Sequence, residues 1–177
     1  LQSALKQVVG NHVAQAGSFV SEEYLRFDFT HFEKVNEPQL REIEHIINQY
    51  IAAKYPVTKE LMAIEEAKQS GATALFDEKY GDIVRVVTMG DVSKEFCGGT
   101  HVNNTGEIGV CKLIAEESIG SGIRRITAKT GYEAYEEFAK QEQSLKHIGA
   151  SLKLNGIQQA ADKVDQLIQE SEQLKKE

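Results

Sequence analysis

Cys97 and His101 are the two side chains whose types and spacing point most directly to chemistry. They close the stretch Glu95-Phe96-Cys97-Gly98-Gly99-Thr100-His101. A cysteine and a histidine separated by three residues can meet one zinc ion where the chain between them turns sharply. Gly98 and Gly99 permit such a turn because neither has a Cβ. The same glycines leave backbone N–H groups open to an incoming ligand. One Cys-x3-His pair supplies two ligands, whereas a structural zinc site uses four protein ligands and a catalytic site commonly three plus an open position. Spacing alone is therefore equally compatible with a cysteine in a tight turn beside an incidental histidine.

The other candidates are weaker. His45 falls in a helical pattern and His147 in a C-terminal one. His12 and His31 sit at strand ends, where they can approach in space but where histidines are more often simply satisfied at the surface. Cys111 lies in an apolar strand and reads as a buried thiol. Arg124 and Arg125 are consecutive on a predicted strand, so they point to opposite faces. One can contact an RNA phosphate while the other forms a salt bridge, or both can be structural. Gln15, taken alone, is a solvated strand residue.

The elements that must position these residues are legible from periodicity. Leu1, Leu5, Val8 and Val9 recur at helical spacing and stop at Gly10. Period two takes over between His12 and His31, with Leu25, Phe27 and Phe29 alternating with Arg26, Asp28 and Thr30 after a turn at residues 21–23, and predicts a two-stranded hairpin. Asn36 is an N-cap candidate with Pro38 in the first turn of a helix whose apolar stripe is Leu40, Ile43, Ile46, Ile47, Tyr50 and Ile51. From Val57 to Ile126 short strands surround a brief helix near residues 65–69. Residues 83–87 are the clearest buried strand, and residues 110–119 and 123–129 form a pair around Gly120-Ser121-Gly122. Helices interleaved with largely antiparallel strands predict an α+β fold in which the sheet packs against helices.

After Gly131, Tyr135, Phe138, Leu145, Ile148 and Leu152 recur at helical spacing, and Ile157, Ala160, Val164, Leu167, Ile168 and Leu174 approximate a heptad seam. Residues 1–131 are thus expected to form the core and 132–177 a helical arm, a stalk or hairpin leading toward a further C-terminal region.

The chain has 177 residues, with 20 Lys+Arg against 27 Asp+Glu, a net charge of −7. A chain of this length removes roughly 70% of its unfolded surface from water on folding, enough for a core without disulfide staples. Its acidity argues against broad coating of nucleic acid but leaves room for a local basic patch. No apolar run approaches the ~20 residues of a membrane helix. Two cysteines are too few for a disulfide framework, so a cytoplasmic setting is expected. Leu1 stands within a helical pattern that has no visible start, and the chain reads as an excised fragment.

Cys97-Gly98-Gly99-Thr100-His101 resembles the second zinc half-site of the editing domain shared by alanyl- and threonyl-tRNA synthetases. Residues 12–18 (His-Val-Ala-Gln-Ala-Gly-Ser), 25–31 (Leu-Arg-Phe-Asp-Phe-Thr-His) and 122–126 (Gly-Ile-Arg-Arg-Ile) are similar to the alanyl branch, in the family's order. The resemblance implies hydrolysis of the ester joining serine or glycine to alanine tRNA, with the tRNA acceptor end as partner. It also implies zinc held by Cys97 and His101 together with a His-x3-His pair expected upstream of Leu1. Gln15 matches the polar pocket residue of the family's Gln-x-Gly-Ser motif. The amides of Gly98, Gly99 and Thr100 are implied contacts to the ester or terminal ribose, and Arg124 or Arg125 a contact to RNA. A proofreading site is physically reasonable, because a pocket built for alanine discriminates only weakly against one methylene or one hydroxyl. A free-standing editing hydrolase shares these motifs, and as isolated the chain is alternatively a tRNA-binding or self-associating module, with self-association through the helical arm.

Overall fold

Alternation along four strands builds the larger of two sheets. The structure is a computed structural model that describes residues 1–74 and 80–175. In it β1 (Gln15–Val20) and β2 (Leu25–Thr30) form the expected hairpin, and β2 buries Phe27 and Phe29 on one face. β6 (Cys111–Gly120) and β7 (Ile123–Thr130) form a second hairpin, whose turn places Gly122 at φ +70°, a backbone geometry that side chains resist. β2 pairs with β7, so the antiparallel sheet runs β1-β2-β7-β6.

One face of this sheet is covered by α2 (Glu37–Ala52). Asn36 caps the helix in a reciprocal box with Gln39, Pro38 lies in its first turn, and Ile43, Ile46, Ile47 and Ile51 are buried. Ala4 and Leu5 of α1 (Gln2–Val8) join them, and with Val13, Val35, Phe29, Cys111, Ile126 and Ala128 complete the main core.

Two guanidinium–carboxylate forks rivet the strands. Arg124 donates to both oxygens of Glu116 at 2.6 and 2.7 Å, with only 10% and 2% of the two side chains exposed. Arg125 donates to both oxygens of Asp28 at 2.7 and 2.8 Å. Such paired geometry compensates for the desolvation of the charges.

The second sheet is smaller. β3 (Val57–Ala63), β4 (Ile83–Met89) and β5 (Ser93–Phe96) pair antiparallel in that order, with β4 in the centre. Ala67 of α3 (Ile64–Gln69) packs with Val84, Val86 and Phe96 in a separate cluster. Thr105 ties the segment after His101 to the end of α2: its N–H donates to Tyr55 O, and its hydroxyl donates to Tyr50 O and accepts from Tyr55 N.

The chain is α+β, with antiparallel sheets packed against helices and a helical C-terminus. It divides into two compact units, residues 1–134 and 135–177. α4 (Gly131–Ser151) starts at a left-handed Gly131, and a short 3-10 turn leads from it to α5 (Ala160–Leu174). The seam residues Val164, Leu167 and Ile168 of α5 remain exposed. Among the described residues, no helix is long and apolar enough to cross a membrane.

Candidate functional site

Cys97 follows directly on β5, and backbone hydrogen bonds on both sides hold it in place. The N–H of Phe96 donates to Thr73 O at 2.9 Å, and that of Cys97 donates to Arg85 O at 3.0 Å. Beyond it the chain turns so that His101 Nε2 lies 3.1 Å from Cys97 Sγ. The two side chains therefore converge.

The turn is organised by Arg85, which the sequence analysis passed over. Its Nη1 donates to Cys97 O at 3.2 Å and also to Gly99 O. One guanidinium thus gathers two carbonyls of the loop. The available signal was a lone charged residue inside the apolar run Ile83-Val84-Arg85-Val86-Val87. An arginine is kept within such a strand when its donors have acceptors to meet.

Of the two parts expected of the glycines, a turn that needs them and an open backbone, the geometry fits the second. Neither Gly98 nor Gly99 adopts a left-handed backbone. A Cβ at Gly98 would meet nothing within 4 Å, and one at Gly99 would make ordinary contact with Cys97 Sγ at 3.6 Å. The turn does not require them. What they provide is an exposed stretch of backbone from Gly98 to Thr100, whose N–H groups donate to nothing among the described residues.

Electrostatics around His101 favour the neutral imidazole. Burial lowers its pKa, and the nearby cations Arg85 and Lys59 lower it further, against a smaller opposing effect of Glu95. A neutral imidazole is the donor state zinc requires of a histidine and a cysteine coordinates as its thiolate, so the residue types of the pair fit half of a tetrahedral set. Among the described residues, no cluster of three or more His, Cys, Asp or Glu side chains could hold a metal ion.

Gln15 begins β1 at an irregularity: it pairs with Phe29, yet Gly17 pairs with Asp28, so the strand carries an extra residue there. Such bulges re-aim side chains. Gln15 Nε2 donates to Ser18 Oγ at 3.1 Å, and Gln15 lines a cavity of about 310 Å³ together with Gln2, Lys6, His12 and Thr73. Cys97 and His101 are not part of that wall; Thr73, bonded to the residue preceding Cys97, connects the two places.

The remaining candidates separate. Arg124 and Arg125 are each held in a bidentate carboxylate fork, which supports the structural reading of both. Cys111 is buried, and burial pushes its thiol up to about 11. His45 and His147 are exposed, while His12 and His31 do meet, at 2.9 Å.

Residues 84–127 match a family described as the threonyl and alanyl tRNA synthetase second additional domain. Over all 177 residues the chain is 50% identical to an alanine–tRNA ligase of Streptococcus suis and 51% identical to one of Streptococcus mutans. An alanine–tRNA ligase of Streptococcus agalactiae is 50% identical over the same length. The chain spans about a fifth of the length of these relatives, 20% in each case.

Proposed function

We propose that this chain, a relative of the alanine–tRNA ligases along its whole length and the bearer of the second additional domain of threonyl- and alanyl-tRNA synthetases, hydrolyses the ester of alanine tRNA wrongly charged with serine or glycine. The observation that carries this reading is the convergence of Cys97 Sγ and His101 Nε2 on a loop that Arg85 holds open.

The chain's residues divide the work as follows. Exposed as they are, the amides of Gly98, Gly99 and Thr100 can donate to an ester oxygen as negative charge develops on it. Arg85 fixes those amides by holding the carbonyls of Cys97 and Gly99. Gln15 can both donate and accept through its amide, so it recognises the hydroxyl that serine has and alanine lacks. Cys97 and His101 would hold zinc, with two further histidine donors supplied from outside these 177 residues. Zinc when bound supplies Lewis acidity to the ester or to the attacking water.

The reading places the acceptor end of alanine tRNA at the site and the protein in the cytoplasm, where tRNA is charged. A free-standing hydrolase would use the same residues in the same way. The exposed seam on α5 favours a second role for residues 135–177, in self-association.

Discrimination by Gln15 tests the substrate assignment. Gln15→Ala is expected to slow removal of serine by about tenfold or more while slowing removal of glycine less, because only serine offers a side-chain hydroxyl to the Gln15 amide. Equal losses for the two substrates would contradict it.

A further inference from the structure

Asn155 is the one asparagine of this chain that glycine follows. It lies in the connection between α4 and α5, at a gap in the backbone hydrogen bonding. At the end of α4, Lys153 takes a left-handed backbone (φ +54°), and the N–H groups of Leu152, Lys153 and Leu154 donate to Ile148 O, Ala150 O and Gly149 O. Bonding resumes where Gln159 N donates to Gly156 O at 3.2 Å and the 3-10 turn Ile157–Gln159 begins. Between these ties, the N–H groups of Asn155 and Gly156 donate to nothing among the described residues.

The Asn155 side chain is exposed and likewise has no hydrogen-bond partner among the described residues. Most of the other asparagines are committed. Asn36 Oδ1 accepts from Gln39 N, and Asn48 bonds both backbone groups of Cys111. Asn103 Oδ1 accepts from the Lys59 ammonium, and Asn104 accepts from Gly106 N while donating to Lys54 O. Asn11 is exposed too, but His12 follows it, and the Cβ of His12 crowds the intervening amide.

These differences bear on one reaction. The carboxamide carbon of an asparagine is an electrophile that the backbone nitrogen of the next residue can reach by closing a small ring. The nitrogen must be unshielded and must not be engaged as a hydrogen-bond donor, and the carboxamide must be free to rotate. Gly156 has no Cβ, and Asn155 meets the other requirements.

We propose that Asn155-Gly156 is a self-modification site, at which the chain converts its own asparagine to aspartate and isoaspartate. Gly156 N bonds to Asn155 Cγ, the Cγ–Nδ2 bond breaks, and Nδ2 leaves as ammonia with the proton that Gly156 N gives up. Water then opens the succinimide. Cleavage of the new Cγ–N bond leaves aspartate in an unaltered backbone; cleavage of the original peptide C–N bond leaves isoaspartate, whose main chain runs through Cβ and Cγ. Nothing is oxidised or reduced. Either product adds one negative charge to the chain's −7, placed just ahead of Gly156, the residue that caps the 3-10 turn. Isoaspartate also lengthens the link between α4 and α5 by one main-chain carbon, and it is the methyl acceptor of isoaspartyl methyltransferases.

The test holds the folded chain at mildly alkaline pH, where an amide gives up its proton more readily. Isoaspartate is read by methyl transfer from labelled S-adenosylmethionine through an isoaspartyl methyltransferase and located by peptide mass. It is expected at Asn155 with ammonia released, at least about tenfold faster than at Asn11, while Asn36, Asn48, Asn103 and Asn104 stay unconverted. Gly156→Ala keeps an extended backbone and brings its Cβ only against the movable end of the Gln158 side chain, so the fold accommodates it; conversion should slow about tenfold or more. Asn155→Gln, whose extra methylene disfavours ring closure, is the second variant and should lose the isoaspartate signal. Conversion at Asn155 no faster than at Asn11, or conversion that begins only once the chain is unfolded, would overturn the site. So would an unchanged rate in Gly156→Ala, or an undiminished signal in Asn155→Gln.

Discussion

The two sheets of residues 1–134 are built to different specifications. The four-stranded sheet packs Phe27, Phe29, Ile126 and Ala128 against the isoleucines of α2 and is riveted by two arginine forks. Among the described residues, the three-stranded sheet packs a smaller cluster of Ala67, Val84, Val86 and Phe96, and leaves Leu61 and Ile83 exposed. Yet the smaller sheet carries the candidate chemistry, since Cys97 follows its short edge strand. One sheet provides shape, and the other presents a loop whose backbone is left open. Damage to the first should unfold the chain, whereas damage to the loop should leave it folded and disabled.

That contrast can be broken from the frame downward. Phe29 is fully buried, so Phe29→Ala should cost about 3–5 kcal/mol in denaturant unfolding; a loss well under 1 kcal/mol would show that the larger core is not the frame. Glu116→Gln leaves the buried Arg124 guanidinium without its anion and should cost about 3 kcal/mol, far more than removal of an exposed pair such as Lys146 with Glu142.

A pH titration sharpens the comparison next. Cys111 lies in the main core, and its thiol is raised from 9.0 to about 11, so the folded state keeps the proton longer than the unfolded state does. The stability this represents is fully present below pH 9 and is lost as pH rises through 11, about 2–3 kcal/mol in all. Alkaline unfolding of Cys111→Ala should lack that component; an identical pH profile would refute it. The smallest effect is expected on the loop. Cys97→Ala should shift stability by no more than about 0.5 kcal/mol, because a half-exposed side chain leaves no core cavity.

Much of the frame was legible because local periodicity and burial coincide there. Asn36 and Pro38 mark the start of α2, and alternation marks β2 and β7. What periodicity could not supply was the identity of distant partners. Arg124 and Arg125 alternate faces as the strand requires, but their carboxylates lie 8 and 97 residues away in the chain. The pairing of Cys97 with His101 was readable from spacing. The role of Arg85 was not, because it depends on carbonyls 12 and 14 residues further on. Gly98 and Gly99 suggested both a sharp turn that needs glycine and a backbone open to a ligand, and the structure fits the second without requiring the first. A glycine signals permissiveness, and only geometry distinguishes a backbone that needs it from a ligand that does.

The central claim is that the Cys97–His101 loop on the smaller sheet is a hydrolytic centre. It is tested most directly by comparing Cys97→Ala with the unaltered protein in hydrolysis of serine-charged alanine tRNA, with alanine activation followed in parallel in the full protein. The account predicts a loss of hydrolysis of about 100-fold or more, with activation and folding unchanged. Hydrolysis that survives the substitution, or falls only in step with activation, would contradict it.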